Sequence, residues 1–438
     1  MDRGRRSTAL IVAGILLVVG TVAVGAATAP ETSVDDGSQQ RTLVGSQGGD
    51  TGWHADGSVY MLTGSEISWR IDDADSYFDV TQLPDGRVMA GFMHSGYQEG
   101  CAPYDPPCTK TGFRIIDPDA DGGPRTVEEY AFPVRYATNS ETHDVERLDS
   151  GEYLLSDMEH ERIFTVRDGE VTWQWNASSF YDTPPDPTRR DWLHINDVDA
   201  VNETHYLVSV RNANQLVLVE RGAGVVEVVN EDDGGSDDSC TVRDSQLKDF
   251  DGDGEIRCGD PSVLDHQHNP QWLGPDAVLV ADSDNDRVVE LHKVDGEWEP
   301  AWTLSRAGGV PLHWPRDADR LDNGNTLVTD TLNKRVFEVT RNGTVVWSRQ
   351  TPDDTPIAYE AERLPEGERV GAQRYTADGG IEEAAGDGVP GLSLLLVSLQ
   401  SVAPWTPFWF AELHLGLTLV GVVAVVAGGV DRLRELRQ

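Results

Sequence analysis

The sequence predicts an all-β chain: a β-propeller, six four-stranded blades by its repeats, with a transmembrane helix at each end. Three observations carry that expectation. A strand–turn–strand unit recurs, as "FDVTQLPDGRVMAGF" from Phe78, "HDVERLDSGEYLLSD" from His143 and "NDVDAVNETHYLVSV" from Asn196. It returns as "HNPQWLGPDAVLVAD" from His268, "RDADRLDNGNTLVTD" from Arg316 and a shorter "YEAERLPEG" from Tyr359. These starts lie 65, 53, 72, 48 and 43 residues apart, enough chain for a four-stranded antiparallel sheet each. Repetition at such a period marks a modular architecture, and no helical periodicity of comparable strength appears between the ends.

Each unit opens with a short strand, turns through a polar segment often containing Gly, and runs into a second strand ending in Ser, Thr or Asp. Third strands follow as "ERIFTV", "NQLVLV", "DRVVEL" and "KRVFEV". Fourth strands carry Trp in "GEVTWQW", "GEWEPAW" and "GTVVWSR". Blades set around an axis leave only short, protected strand edges. The strands of 41–77 would complete the blade begun near Tyr359 and close the ring; alone they would make a seventh blade. The propeller is thus assigned to residues 41–385.

The ends are different material. Residues 7–29 are apolar and long enough to span a bilayer, behind Arg3, Arg5 and Arg6 in a cytoplasmic stretch 1–6. Residues 412–430 form a second span, with Arg432, Arg434 and Arg437 in a cytoplasmic tail 431–438. Arginines on both outer flanks place both termini inside and the propeller outside the cell. The small residues of "GAATAP" equally suit a cleaved export signal. Residues 386–411, with Trp405 and Trp409, read as an apolar linker on the membrane surface.

With 75 acidic against 35 basic residues the formal charge is -40, yet 12 Trp, 11 Tyr and 10 Phe mark a folded chain rather than an acidic tail. Self-repulsion on that scale suits a salt-loving organism, since the Debye length falls to about 3 Å near 1 M salt. It excludes nucleic acid as a partner. Four cysteines in an exported chain suit two disulfides, Cys101 with Cys108 and Cys240 with Cys258, by proximity.

Equivalent positions of a repeat fall at one level of a propeller. The first column reads Phe78, His143, Asn196, His268, Arg316, Tyr359, where a purely structural column would be uniform and apolar. His194, His313 and His266 stand two or three residues ahead of their column positions, and Arg211 opens the segment after the second strand of its unit. Imidazoles, an amide and guanidinium groups converging on one axis make an anion site. The His266–His268 pair also has the spacing of half a zinc site.

The repeats, with "THDVERL", "DWLHINDV", "HQHNPQWL" and "SVRN", resemble the arylsulfotransferase family, in a haloarchaeal, membrane-anchored form. The resemblance spans about residues 41 to 380. It implies an exported six-bladed propeller that moves a sulfuryl group from a phenolic sulfate to a phenolic acceptor, with no cofactor for the chemistry. It further implies His268 as the nucleophile and His143, His194, Asn196 and Arg211 as its catalytic partners. Arg316, His313, His266 and Tyr359 would then line the substrate. The lack of a G-x-x-x-x-G-K-[ST] loop suits a nucleotide-free reaction. The competing reading is a propeller that binds or scaffolds without chemistry.

One motif lies apart from the column. "DFDGDGEIRCGD" has calcium-loop spacing, with Asp249, Asp251 and Asp253 at positions 1, 3 and 5, Glu255 at 7 and Asp260 at 12. A structural Ca²⁺ is expected there.

Overall fold

The computed structural model describes residues 3–30, 32–34, 37, 39–49, 53–231, 247–250, 256–375 and 391–436. Six four-stranded antiparallel sheets form the propeller. Blade 1 joins the two ends of the domain: Ile357–Leu364 is its inner strand, and Arg41–Gly48, Gly57–Thr63 and Glu66–Ala74 are the outer three. The ring therefore closes as the repeat predicts. Blade 2 runs Ser76–Gln82, Val88–Tyr97, Cys108–Asp117, Arg125–Val134, and blade 3 runs Val145–Arg147, Tyr153–Asp157, Arg162–Arg167, Glu170–Asn176. Blade 4 is Ile195–Asn202, His205–Val210, Gln215–Glu220, Gly224–Val229. Blade 5 is His268–Gly274, Ala277–Asp282, Arg287–Val294, Glu297–Leu304, and blade 6 is Pro315–Arg320, Thr326–Asp330, Arg335–Val339, Val345–Gln350.

Alternation along the strands sets the packing. Val, Leu and Ile of the middle strands fill the clefts between blades, and Trp175, Trp302 and Trp347 of the fourth strands are buried there. At the end of the second strand an aspartate closes the blade. Asp157, Asp282 and Asp330 accept from Arg162, Arg287 and Arg335, five residues on, at 2.7, 2.6 and 2.8 Å. Blade 4 replaces the pair with Val210 and Gln215.

A second device joins one blade to the next. Glu161, Asn214 and Asp286 all have positive φ, of 50°, 56° and 51°. Their side-chain oxygens accept the backbone N–H of His194, His266 and Trp314 in the following blade, at 2.8, 3.0 and 2.8 Å.

The inner strands expose backbone donors toward the axis, and acids satisfy many of them. One residue past the column stand Asp79, Asp144, Asp197, Asn269, Asp317 and Glu360, one per blade. Two residues further stand Glu146, Asp199, Asp319 and Glu362. Asp144 accepts from Val198 N–H at 2.7 Å, Asp199 from Trp272 at 2.8 Å, Asp317 from Ala361 at 2.9 Å and Glu362 from Gln82 at 2.9 Å. These carboxyls stitch neighbouring inner strands together.

The terminal segments form a separate unit. It holds helices α1 (Arg3–Thr28), α2 (Leu392–Val402) and α3 (Glu412–Leu436). α1 and α3 are both long and apolar enough to cross a membrane. They pack antiparallel through small residues: a methyl at Gly14 would meet the Gly421 carbonyl at 2.5 Å, and one at Gly428 would meet that of Ser7 at 2.7 Å. Close backbone approach of this kind is how apolar helices associate in lipid.

Candidate functional site

The predicted column converges on one side chain, Tyr359. Its ring centroid lies 5.4 Å from Phe78, 5.0 Å from His143 and 6.0 Å from His268. The Arg316 guanidinium carbon sits 4.9 Å from the same ring, and the Tyr359 hydroxyl donates to the Asn196 carbonyl at 3.4 Å. Six residues from six blades thus meet on the axis because each stands at or close to the start of its blade's inner strand.

His268 is held in one tautomer. Its Nδ1 lies 2.7 Å from Ser283 Oγ, and that hydroxyl donates to the Pro315 carbonyl at 2.6 Å. A serine hydroxyl has a single proton, so Ser283 accepts from His268 and Nδ1 carries the hydrogen. Nε2 is left with the lone pair. Burial first, then the charges of Arg316 and Arg211, hold His268 well below the usual imidazole range. The ring is neutral at neutral pH.

His143 is buried and neutral for the same reason, burial first and then His194 and Arg316, and its Nδ1 has no hydrogen-bond partner. His194 stands 5.7 Å from it, with Nδ1 2.6 Å from Asp191. Burial opposes ionisation of Asp191, but the charge and hydrogen bond of His194 hold that carboxyl below its ordinary range. Burial, ahead of Asp191, still leaves His194 below the usual imidazole range.

His194, His266 and Trp314 occupy the same place in three blades, two residues before the column and at positive φ of 56°, 49° and 52°. Each is pinned by the inter-blade acceptor described above. His266 pairs with Asp284 at 2.7 Å, and Asp284 also takes the Trp314 indole N–H at 2.9 Å. Asp265, His266 and Asp284 offer three ligand atoms within 4.8 Å of one another, the set among the described residues that would suit a metal ion. His268 is not part of it, so the zinc reading of the His266–His268 pair lacks a common centre.

Two guanidinium groups supply positive charge. Arg211 stands at the blade position that Ser283 and Thr331 hold in blades 5 and 6, directly after the second strand. Its Nη1 donates to Asn212 at 2.9 Å, while its Nε is buried without a partner. Arg316 packs 4.4 Å from Trp314 and 5.8 Å from Trp53, donates to Gln47, and likewise has a buried, unpartnered Nε. Burial lowers it to about 10, so it stays charged at neutral pH. Asn196 donates to the Gln267 carbonyl at 2.8 Å and its Oδ1 is unpartnered. Buried N–H donors without acceptors are rare in folded chains; two on one axis fit an anion with several oxygens.

Several neighbours escaped the repeat because they lie outside it. Trp53 and His54 come from the turn between the outer strands of blade 1, with the Trp53 ring 5.1 Å from Trp314. His54 Nε2 is 3.5 Å from Glu141, whose carboxyl burial pushes up to about 7. The available signal was a Trp–His dipeptide at 53–54 mirrored by His–Trp at 313–314. His313 takes up Asp286 at 3.3 Å, beside the Trp314 brace.

Cys101 and Cys108 form a disulfide, and Cys258 is also disulfide-bonded. Cys240 and the calcium-loop residues Asp251, Asp253 and Glu255 lie outside the described residues. Asp260 braces the adjoining turn through Ser262 N–H at 2.8 Å.

No protein-family model and no curated protein matches the chain, so the arylsulfotransferase resemblance gains nothing from that side. Among solved structures, a protein of unknown function from Bacteroides caccae is 15% identical, at a TM-score of 0.50, over 75% of this chain and 100% of that one. A periplasmic gluconolactonase from Pseudomonas aeruginosa is 12% identical, at 0.41, over 75% and 99%. Virginiamycin B lyase from Staphylococcus aureus is 8% identical, at 0.35, over 61% and 68%. The first of these likenesses speaks for the propeller fold, and for the fold alone.

Proposed function

We propose that the chain is an aryl-sulfate sulfotransferase that moves a sulfuryl group between phenols through a sulfohistidine at His268. One observation carries the reading: a neutral imidazole with a fixed Nδ1–H and a free Nε2, set beside two guanidinium N–H groups without acceptors. In the first step the Nε2 lone pair attacks sulfur, and the S–O bond to the aryl group breaks with its electrons leaving on a phenolate. The Nδ1 proton stays on its hydrogen bond to Ser283. In the second step the acceptor phenol, having lost its proton to solvent water, attacks sulfur as the phenolate, and the N–S electrons return to Nε2.

Negative charge grows on the sulfuryl oxygens and the leaving oxygen, where Arg211, Arg316 and the neutral rings of His143 and His194 stand. A preorganised donor of this kind is worth about 2.7–4 kcal/mol in the transition state. Arg211→Ala should therefore slow transfer by roughly 100- to 1000-fold while leaving labelled protein detectable. His268→Ala should abolish both transfer and labelling. Incubation with a phenolic sulfate carrying radioactive sulfur, followed by peptide mapping, reads both. Full transfer by His268→Ala would sink the assignment. Wild-type protein that neither transfers nor labels would favour a binding propeller.

We read the Arg-flanked apolar helices as membrane anchors that keep the propeller outside the cell. Protease added to intact cells should then digest the propeller and spare epitope tags at both ends. A C-terminal tag open to outside protease would contradict that topology.

A further inference from the structure

The chain holds three N-x-[ST] triplets, at Asn176, Asn202 and Asn342, and the chemistry of the site uses none of them. Such a triplet is the acceptor signature for asparagine-linked sugar in exported chains. All three asparagines are exposed, so exposure does not separate them. The fold does. Asn202 ends the inner strand of blade 4, whose other end carries Asn196 at the site. At about 3.3 Å per residue the strand sets the two about 20 Å apart. Asn342 lies in the turn between the third and fourth strands of blade 6, which antiparallel pairing puts at that same far end. Asn176 instead closes the fourth strand of blade 3, back at the end that carries the site.

At Asn202 the turn arranges the acceptor. Its Oδ1 accepts from the Thr204 N–H at 2.9 Å, the Thr204 hydroxyl at 3.0 Å and the His205 N–H at 3.1 Å. No described residue accepts from its Nδ2. The threonine of the triplet thus holds the amide oxygen while the amide nitrogen is left to solvent. Donors on an amide oxygen draw electron density from the nitrogen and make its protons easier to lose. Asn342 and Thr344 form no side-chain hydrogen bond among the described residues, and Gly343 between them turns the chain at φ 76°. Asn176 is clamped. Its backbone pairs with Arg162, its carbonyl accepts from Ser179 at 2.7 Å, and Ala177 in the middle of its triplet is fully buried with its N–H on Glu161. A transferase must draw all three residues into its own groove, which a turn tip allows and a strand end packed into the core does not.

We propose that Asn202 and Asn342 carry N-linked saccharides on the face of the propeller away from the site, and that Asn176 stays bare. The donor is an oligosaccharide joined through its anomeric carbon to a lipid phosphate, used by a membrane transferase of the cell. Nδ2 loses one proton and attacks that carbon. The C–O bond to phosphate breaks, its electrons leave with the phosphate, and an N–C bond to the sugar takes its place. Two solvated glycans on the far face leave the mouth of the ring open to small phenols. The proposal rests on the propeller lying outside the cell, and sulfuryl transfer plays no part in it.

The test is mass spectrometry of the full chain purified from the membranes of its own cells, as intact protein and as mapped peptides. Wild type should carry saccharide on the peptides of Asn202 and Asn342 and none on that of Asn176. Asn202→Gln and Asn342→Gln should each lose one saccharide mass, and the double variant both. Thr204→Val should bare Asn202 while Thr204→Ser, which keeps the hydroxyl, retains its sugar. Melting curves check that the variants fold. A bare Asn202 or a bare Asn342 in the wild type overturns the proposal. So does sugar on Asn176 to the same extent, or a Thr204→Val chain that keeps its glycan at Asn202. Protease added to intact cells tells two failures apart: bare triplets on a digested propeller sink the proposal alone, and on a protected propeller they sink the outward topology with it.

Discussion

Ser283 decides which nitrogen of His268 is reactive, and it does so through one proton. Removing the hydroxyl frees the ring to rotate or to take the other tautomer, but it leaves the nucleophile in place. Ser283→Ala should therefore lower the transfer rate, by the 10- to 100-fold typical of lost ligand-orienting contacts, with labelled protein still forming at His268. Ser283→Thr should restore most of the rate, since it keeps the hydroxyl. Single-turnover labelling separates the two; equal labelling rates in wild type and Ser283→Ala would mean that the hydrogen bond orients nothing. The column itself was legible, because register in a repeat translates directly into position on the axis, and His143, Asn196, His268, Arg316 and Tyr359 all meet there. Ser283 was not, since a serine at a strand end reads as ordinary turn chemistry until its partner across the turn is known. His54 and Glu141 were hidden for a different reason: they come from loops outside the repeating strands, where no register exists to count from.

Among the elements, the aspartate at the end of the second strand shows what holds a blade. Asp330 accepts from the His313 backbone at 2.8 Å, from Asn333 at 2.8 Å and from Arg335 at 2.8 Å, all within the protein interior. Losing one partner of a buried ion pair costs about 3–5 kcal/mol, because the other charge is left stranded. Asp330→Val should cost that much. Blade 4 already lives without the pair, carrying Val210 and Gln215 instead. The double change Asp330→Val/Arg335→Gln should accordingly be less damaging than Asp330→Val alone, by denaturant titration. If the double variant is worse than the sum of the single ones, the pair is not the unit that matters. The recurring D-x-x-x-x-R stands in the sequence, as does an acid one residue after five of the six column positions. Its role was not. Alternation in a strand separates two faces without saying which meets solvent, and here the polar face of the inner strands turns to a buried axis.

The whole molecule carries an acid balance whose consequence can be given a direction. Burial pushes Asp144, Asp199, Asp317 and Asp282 up to about 7, and Glu161 and Glu362 up to about 8. In the unfolded chain such groups ionise near 4. Between those values the folded state holds more protons than the unfolded one, so stability falls as pH rises through that interval. Histidines act oppositely: His143 and His268 are held neutral, so the unfolded chain gains protons on them only as pH drops below about 6.5. From about pH 6.5 to 8.5 the acids therefore dominate, with Lys334, lowered to about 8 by burial, opposing them only at the upper end. The melting temperature, measured with chelator at high salt to screen the chain's formal charge of -40, should be highest at the acid end of that range. Salt screens exposed charges more than buried ones, so the slope should survive in 1 M salt. A melting temperature that rises from pH 6.5 to 8.5 in chelator would mean that the buried carboxyls are ionised in the fold, with some other group compensating them.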